Sequence, residues 1–318
     1  MRIIHITNGD STRVGLERSS VPGTFHSWHD VLHSGPTPAG LSRAEWRRLR
    51  AAHIAAGDPD GAASILKDYE RGDAALESWR DHDEMVFWFE HDLYDQVILL
   101  HHLDWLSRIE IRGSTTFSLV CGDRYLGPLP PEQFPPLFDR RQPIADAQID
   151  VGKRGWAAFC APDPAALESF AAGDTAALPF LAGALRRHFE DYPSSINGLS
   201  RSEAQILSVV DGGVSSPDAL FAAWTRMEDP IFMGDSTFWA IVEGLATGRQ
   251  PLLRLDVQPR ADRLPTGSIA VTDAGRDVMS ARADHVALNG IDRWMGGVHL
   301  TPSRFWRWNG ARLVTAHA

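Results

Sequence analysis

Four aspartates stand where four apolar runs of the chain end: Asp10 in Asn-Gly-Asp, Asp30 in Trp-His-Asp, Asp92 in Glu-His-Asp and Asp123 in Cys-Gly-Asp. His29, His33 and His91 lie beside them, with a further acid at Glu90. These groups bind divalent cations through oxygen, hold sugar hydroxyls and pass protons. Gathered at one place, the carboxylates repel one another, and either a cation such as Mg²⁺ or Mn²⁺ or a raised pKa on one of them relieves the repulsion. On this pattern Asp10, Asp30 and Asp92 are the candidate metal ligands, and Asp30, His33 and His91 are the candidate catalytic groups. The competing role is structural, because Asp commonly caps a helix after a β-to-α loop, and Asp10 and Asp92 each precede an expected helix.

Asn8, Gly9, Asp10 and Ser11 form a second candidate feature, a minimal phosphate cradle. Glycine in a tight turn lets backbone N–H groups reach a ligand, and a helix N-terminus favours negative charge. The loop lacks the further glycines of G-x-G-x-x-G and the Gly-Lys-Ser/Thr of a P-loop. Asp10 speaks against a bare anion there, and an aspartate holding a ribose or sugar hydroxyl fits equally well. Trp28 and Glu90 complete the expected ligand-binding set. No Ser-His-Asp order with a G-x-S-x-G elbow is present. His101 and His102 are neighbours on one helix, pointing about 100° apart, and are expected to pack rather than chelate. Cys121 is expected in the core.

The elements that must position these residues alternate. Arg2–Thr7, Thr24–Val31, Glu84–Phe89 and Thr115–Cys121 read as strands, and Ser11–Ser20, residues 42–80 and Leu93–Arg108 as helices, the second broken at Asp58-Pro59-Asp60-Gly61. Alternation of this kind predicts an α/β fold with an open, doubly wound, mostly parallel sheet over residues 1–128. Ligands of such sheets bind beyond the carboxyl ends of the strands, where the four aspartates fall. Residues 129–195 read as a Pro-rich and helical connector, with Ala176–Phe189 its best helix. From 196 to 318 the order becomes helix, helix, helix, strand, loop, strand, helix, the winged-helix order. A Trp-rich tail follows, with a hairpin expected at Asn309-Gly310.

The chain of 318 residues has a net charge of −10 and is 43% hydrophobic, which excludes wholesale disorder. No apolar run approaches the ~20 residues of a membrane span, and no signal peptide is read at the N-terminus. The two cysteines, Cys121 and Cys160, exclude a disulfide framework and a cysteine-based zinc site. A cytoplasmic location is therefore expected. Residues 1–195 hold 28 acidic against 19 basic residues, and the remainder 13 against 12. The helix expected to read DNA, Asp235–Ala246, has Asp235 and Glu243 and no Arg or Lys. Nucleic acid is thus an unfavoured partner. A small phosphorylated or nucleotide-like ligand is favoured, with metal-assisted hydrolysis or transfer as its chemistry. The alternative is a non-enzymatic regulatory or adaptor protein whose winged helix meets a protein partner or DNA.

HITNGDS, the stretch Trp28-x-Asp30-x-Leu32-His33-x-Gly35-Pro36 and FWFEHDLYDQ together resemble the bacterial family called domain of unknown function 1835, over roughly residues 1–125. DRWMGGVHL and the Trp-Arg-Trp stretch near the C-terminus resemble its companion, domain of unknown function 3658. The resemblance implies a two-part bacterial protein with no established activity. It brings no catalytic residues with it, but its motifs coincide with the strand-end loops.

Overall fold

Ile3–Thr7 (β1) buries all five of its residues, as a strand covered on both faces must. In the computed structural model, which describes residues 1–55, 58–110, 114–261 and 263–316, β1 lies inside a five-stranded sheet. Asp10–Glu17 (α1) follows β1 and leads to Thr24–Ser27 (β2). Arg43–Ile54 (α2) and Pro59–Glu77 (α3) come next, then Glu84–Phe89 (β3), Leu93–Arg108 (α4) and Thr116–Cys121 (β4). Phe134–Asp139 (α5), Gln142–Pro143 (β5), Asp146–Phe159 (α6) and Pro164–Ala171 (α7) complete the first unit, Met1–Ala184 with Gly296–Val298.

The strand order is β2-β1-β3-β4-β5. The first four strands run parallel, and only the two-residue β5 is antiparallel. The chain leaves β1 for β2 on one side and returns for β3 on the other, so the connections part between β1 and β3. At that switch point α/β sheets open a crevice at their carboxyl edge. Alternate residues of β3 build the two cores. Val86 and Trp88 join Ile3, Leu16, Phe134 and Phe138 on the face carrying α1 and α5. Phe87 and Phe89 pack on His102 of α4, with ring centroids 5.3 and 5.5 Å away. On its outer side α4 meets α6 at Gly152, where a Cβ would stand 2.1 Å from that of Leu103, so only glycine allows this approach.

Local chemistry shifts several boundaries. Neither Asp10 nor Ser11 caps α1; Gly9 occupies that position without a side-chain bond, because Asp10 lies in the first turn and is engaged by Ser27. β2 stops at Ser27 rather than Val31: the Trp28 N–H makes the last bond to β1, at the Thr7 carbonyl, and Asp30 then turns inward to an arginine. Asp58 caps α3 with Pro59 at its first position, so the expected breaker starts a helix.

The second unit, Leu185–Met295 with His299–Ala318, begins inside Leu181–Phe189 (α8), so residues 129–195 fall in both units. Arg201–Asp211 (α9), Pro217–Thr225 (α10) and Asp235–Ala246 (α11) precede Leu253–Arg260 (β6) and Arg263–Val271 (β7), and Asp273–Met279 (α12) follows. Pro265-Thr266-Gly267 lies inside β7. Gly267 (φ 133°) pairs with Val257 so closely that a Cβ would lie 2.1 Å from the Asp256 carbonyl. The tail hairpin joins Phe305–Trp308 (β8) to Leu313–Ala316 (β9). Asn309 sits at the corner of its turn, not at a positive φ, and its Oδ1 accepts the N–H groups of Ala311 and Arg312 at 3.0 and 2.9 Å. No described helix is long and apolar enough to cross a membrane.

Candidate functional site

β3 ends at Phe89, and Glu90–Asp95 carry the chain from the sheet into α4. Glu90, Asp92 and Asp95 are all buried, and one carboxylate oxygen from each lies within 4.8 Å of the others. Among the described residues no other three His, Cys, Asp or Glu side chains meet this spacing. Asp92 caps α4, accepting the Asp95 N–H at 3.1 Å. Asp95 accepts the Glu90 N–H at 2.8 Å and the Asn8 side-chain amide at 3.0 Å. Asn8 itself accepts the Thr12 hydroxyl at 2.8 Å. Glu90 accepts the N–H of Leu126, in the loop after β4, at 2.6 Å. The loops following β1, β3 and β4 therefore meet at one group of carboxylates, at the switch point.

The electrostatics follow from burial with no described arginine or lysine acting on the group, and with His91 the only charge opposing the rise at Glu90. Burial is the largest cause raising each of the three, and each also feels its neighbours: Glu90 acts on Asp92, and both act on Asp95. Asp92 is pushed up to about 7, and Asp95 stands well above the ordinary carboxylate range. Burial first, and then the surrounding carboxylates, also raise Tyr94, whose hydroxyl donates to the Asn8 carbonyl at 3.2 Å. The cluster thus keeps protons at pH values where ordinary carboxylates have lost theirs.

The expected metal trio is divided, and this corrects the reading from strand ends alone. Only Asp92 belongs to the cluster. Asp10 is largely exposed on the β2 side, bonded to Ser27 at 2.7 Å and Arg13 at 3.2 Å, with His29 at 3.3 Å. The Ser27 hydrogen bond is the largest cause holding its pKa below the usual value. Asp30 is fully buried and accepts both Nε and Nη2 of Arg50 at 3.1 and 2.8 Å. That carboxylate already has its cation, so it suits neither metal nor base. Trp28 is core: its ring meets His102 at 4.6 Å, and the Arg47 guanidinium lies 5.1 Å from its centroid.

The remaining expected residues surround the cluster more closely. Asn8 and Glu90 are members of its bonding network. His33 is buried with its ring 5.9 Å from that of Tyr94. His91 stands between Tyr125 and Phe180 at 5.1 and 5.9 Å, with a buried Nδ1 lacking a hydrogen-bond partner among the described residues. Gly9 faces open space where a Cβ would project, and Ser11 and Asp123 are exposed.

Asp95 is the member that strand-end reasoning missed. Its signal was the spacing Glu90, Asp92, Asp95 within FEHDLYD: a cap, and an acid three residues on that shares the first turn. Gln96 was also missed; its Nε2 donates to the Glu90 carbonyl at 2.6 Å. Cys121, expected in the core, is half-buried at the end of β4, its thiol pushed up to about 12 chiefly by burial. A comparison with protein-family models finds no match, and one with curated proteins finds no relative.

Proposed function

We propose that the first unit binds a small phosphorylated or nucleotide-like ligand at the carboxyl edge of its sheet, with a divalent cation held by Glu90, Asp92 and Asp95. The observation that carries this reading is the close approach of three buried carboxylates at the sheet's switch point, with no guanidinium or ammonium among them from the described residues. Such a set is stable with protons or with a cation, and hard oxygen donors favour Mg²⁺ or Mn²⁺. The N-terminus of α1 supports the phosphate half, since it has no side-chain cap and Gly9 leaves its approach open. Within this reading His91, with its unpartnered Nδ1, and His33, beside Tyr94, are the groups placed to move protons. A bound cation polarises a phosphoryl oxygen, and the matching chemistry is hydrolysis or group transfer.

The test is thermal melting at about pH 8 with MnCl₂ or MgCl₂ for the wild type, Glu90→Gln and Asp92→Asn. At a hundredfold excess over Kd a bound ion stabilises by about 2.7 kcal/mol. The wild type should gain several degrees and both variants should lose that gain. No gain in the wild type, or the same gain in all three, overturns the reading.

The second unit supports a separate role. Its order of three helices, a hairpin and a further helix supports a winged-helix reading. Asp235 and Glu243 are exposed on α11, which suits docking to a protein better than to DNA. Retention of genomic DNA by the full chain at low salt would overturn that preference.

A further inference from the structure

We propose that the open edge of β6, in the second unit, pairs antiparallel with the same edge of a second copy of this chain, about a two-fold axis at Leu255. The contact draws on neither the carboxylate cluster nor the charge of α11, so the metal and DNA tests above neither carry nor weaken it.

β6 and β7 form a sheet of two strands, and the backbone shows which side of β6 is open. On the outer side of β7 the Ile269 N–H donates to the Ser215 carbonyl at 2.7 Å. Ile269 stands opposite Leu255 in the ladder. It thus turns its bonding groups away from β6, and in an antiparallel pair the opposite residue turns its own away as well. Leu255, and by alternation Leu253 and Val257, therefore direct their N–H and C=O groups to the outer edge of β6. No described group hydrogen-bonds them there. An uncovered row of this kind is a template for another strand.

The side chains along this edge match themselves. Leu253 is buried and Leu255 and Val257 are half-buried, while Arg254, Asp256 and Gln258 alternate with them and are exposed. Across the hairpin Arg254 stands opposite Ala270, and Asp256 opposite Ser268, so neither charge is answered within the sheet. Neither has another ion-pair or hydrogen-bond partner among the described residues.

With Leu255 opposite Leu255 of the second copy, Arg254 meets Asp256 on both sides of the axis, and Leu253 meets Val257. The bonding groups, the apolar face and the charges then coincide. Sliding the copies by two residues sets Arg254 against Arg254 or Asp256 against Asp256. Charged side chains commonly blunt an edge, and a single sign repels every copy. Here the two signs alternate, and they attract in one register. Pro259, with no N–H, and the shift in pairing between Gln258 and Arg260 end the regular edge just past Val257. Such a pairing is small, so the dimer is symmetric and weak.

Sedimentation velocity of the full chain from about 10 to about 500 µM tests this. The wild type should pass from monomer to dimer as concentration rises, and less readily in high salt. Arg254→Asp and Asp256→Arg should each weaken self-association at least about tenfold, since each sets like charges across the axis. Mixed in equal amounts, the two variants should form a heterodimer as tightly as the wild type pairs with itself. The double variant Arg254→Asp/Asp256→Arg should dimerise again. Both positions are exposed, so every variant should still melt cooperatively. A monomer at every concentration overturns the proposal and leaves the edge to a strand of another protein. A dimer indifferent to both single reversals overturns it as well, because the contact then lies elsewhere. Loss in the single variants without recovery in their mixture overturns the register.

Discussion

The two ends of β3 carry buried glutamates in opposite circumstances. At the amino end Glu84 accepts Arg141 through both oxygens, at 2.7 and 2.9 Å, and the Ser118 hydroxyl at 2.6 Å. Burial opposes its ionisation, yet Arg141 and Ser118 hold its pKa below the ordinary value. Just beyond the carboxyl end Glu90 is equally buried, has no arginine, accepts the Leu126 N–H, and its pKa is raised, chiefly by burial. The same residue type at the two ends of one strand thus serves two purposes. A carboxylate with its own arginine is part of the framework, whereas a group of carboxylates without one is prepared for something brought from outside.

Breaking the framework pairs should have the largest effect. Arg141→Met strands the Glu84 charge, and Asp30→Asn strands Arg50, which is fully buried. Each should cost about 3–5 kcal/mol in chemical denaturation. The double variant Glu84→Gln/Arg141→Met should recover much of the first loss, because neither charge is then left alone.

At the carboxyl edge the sign should reverse. Asp92→Asn keeps the cap, since Asn is as good at that position, and removes a charge that has no partner. At about pH 8 without metal it should be neutral or stabilising by roughly 1 kcal/mol. The dependence on pH sharpens this. Asp92 holds its proton in the folded chain up to about 7 and loses it near 3.8 when unfolded. Its contribution is complete below the lower value and disappears as pH rises through the upper one. Melting temperature should therefore decline from weakly acidic to alkaline pH in the wild type and decline less in Asp92→Asn.

The acid side belongs to the core. Trp88 donates to His5 Nδ1 at 2.9 Å, so His5 Nε2 carries the hydrogen bonded to the Pro22 carbonyl at 3.0 Å. Burial lowers His5 to about 4 and His102 to about 3, from 6.5. Stability from these neutral rings is present above 6.5 and is lost as pH falls toward the folded values. His102→Gln should soften that acid loss and leave the alkaline slope unchanged. The smallest effect should come from Asp10→Ala, whose ion pair with Arg13 is largely exposed: below about 1 kcal/mol, and less in high salt.

The legibility of these features in the sequence was uneven, for physical reasons. The parallel strands and α4 were legible because strand runs buried on both faces are continuously apolar and a long helix repeats its pattern. The carboxyl edge was legible as a place, since Asn8, Glu90 and Asp92 all lie in the cluster. Its membership was not. Asp30 resembled Asp92 in its strand-end setting, and only the fold reveals that Arg50 comes back to meet it. Asp95 looked like a first-turn helix acid until the loops after β1 and β4 closed on it. Pairing across twenty or more residues decides which carboxylates are neutralised, and spacing along the chain does not record it.

The central claim is that the Glu90, Asp92 and Asp95 group holds protons which a cation displaces. Calorimetric titration with MnCl₂ in two buffers of different ionisation enthalpy measures it directly. At about pH 6 binding should release protons, and fewer near pH 8.5, where Asp92 has already lost its own, with Asp92→Asn releasing fewer than the wild type at pH 6. Absence of binding, or binding with no proton released at the lower pH, would contradict it.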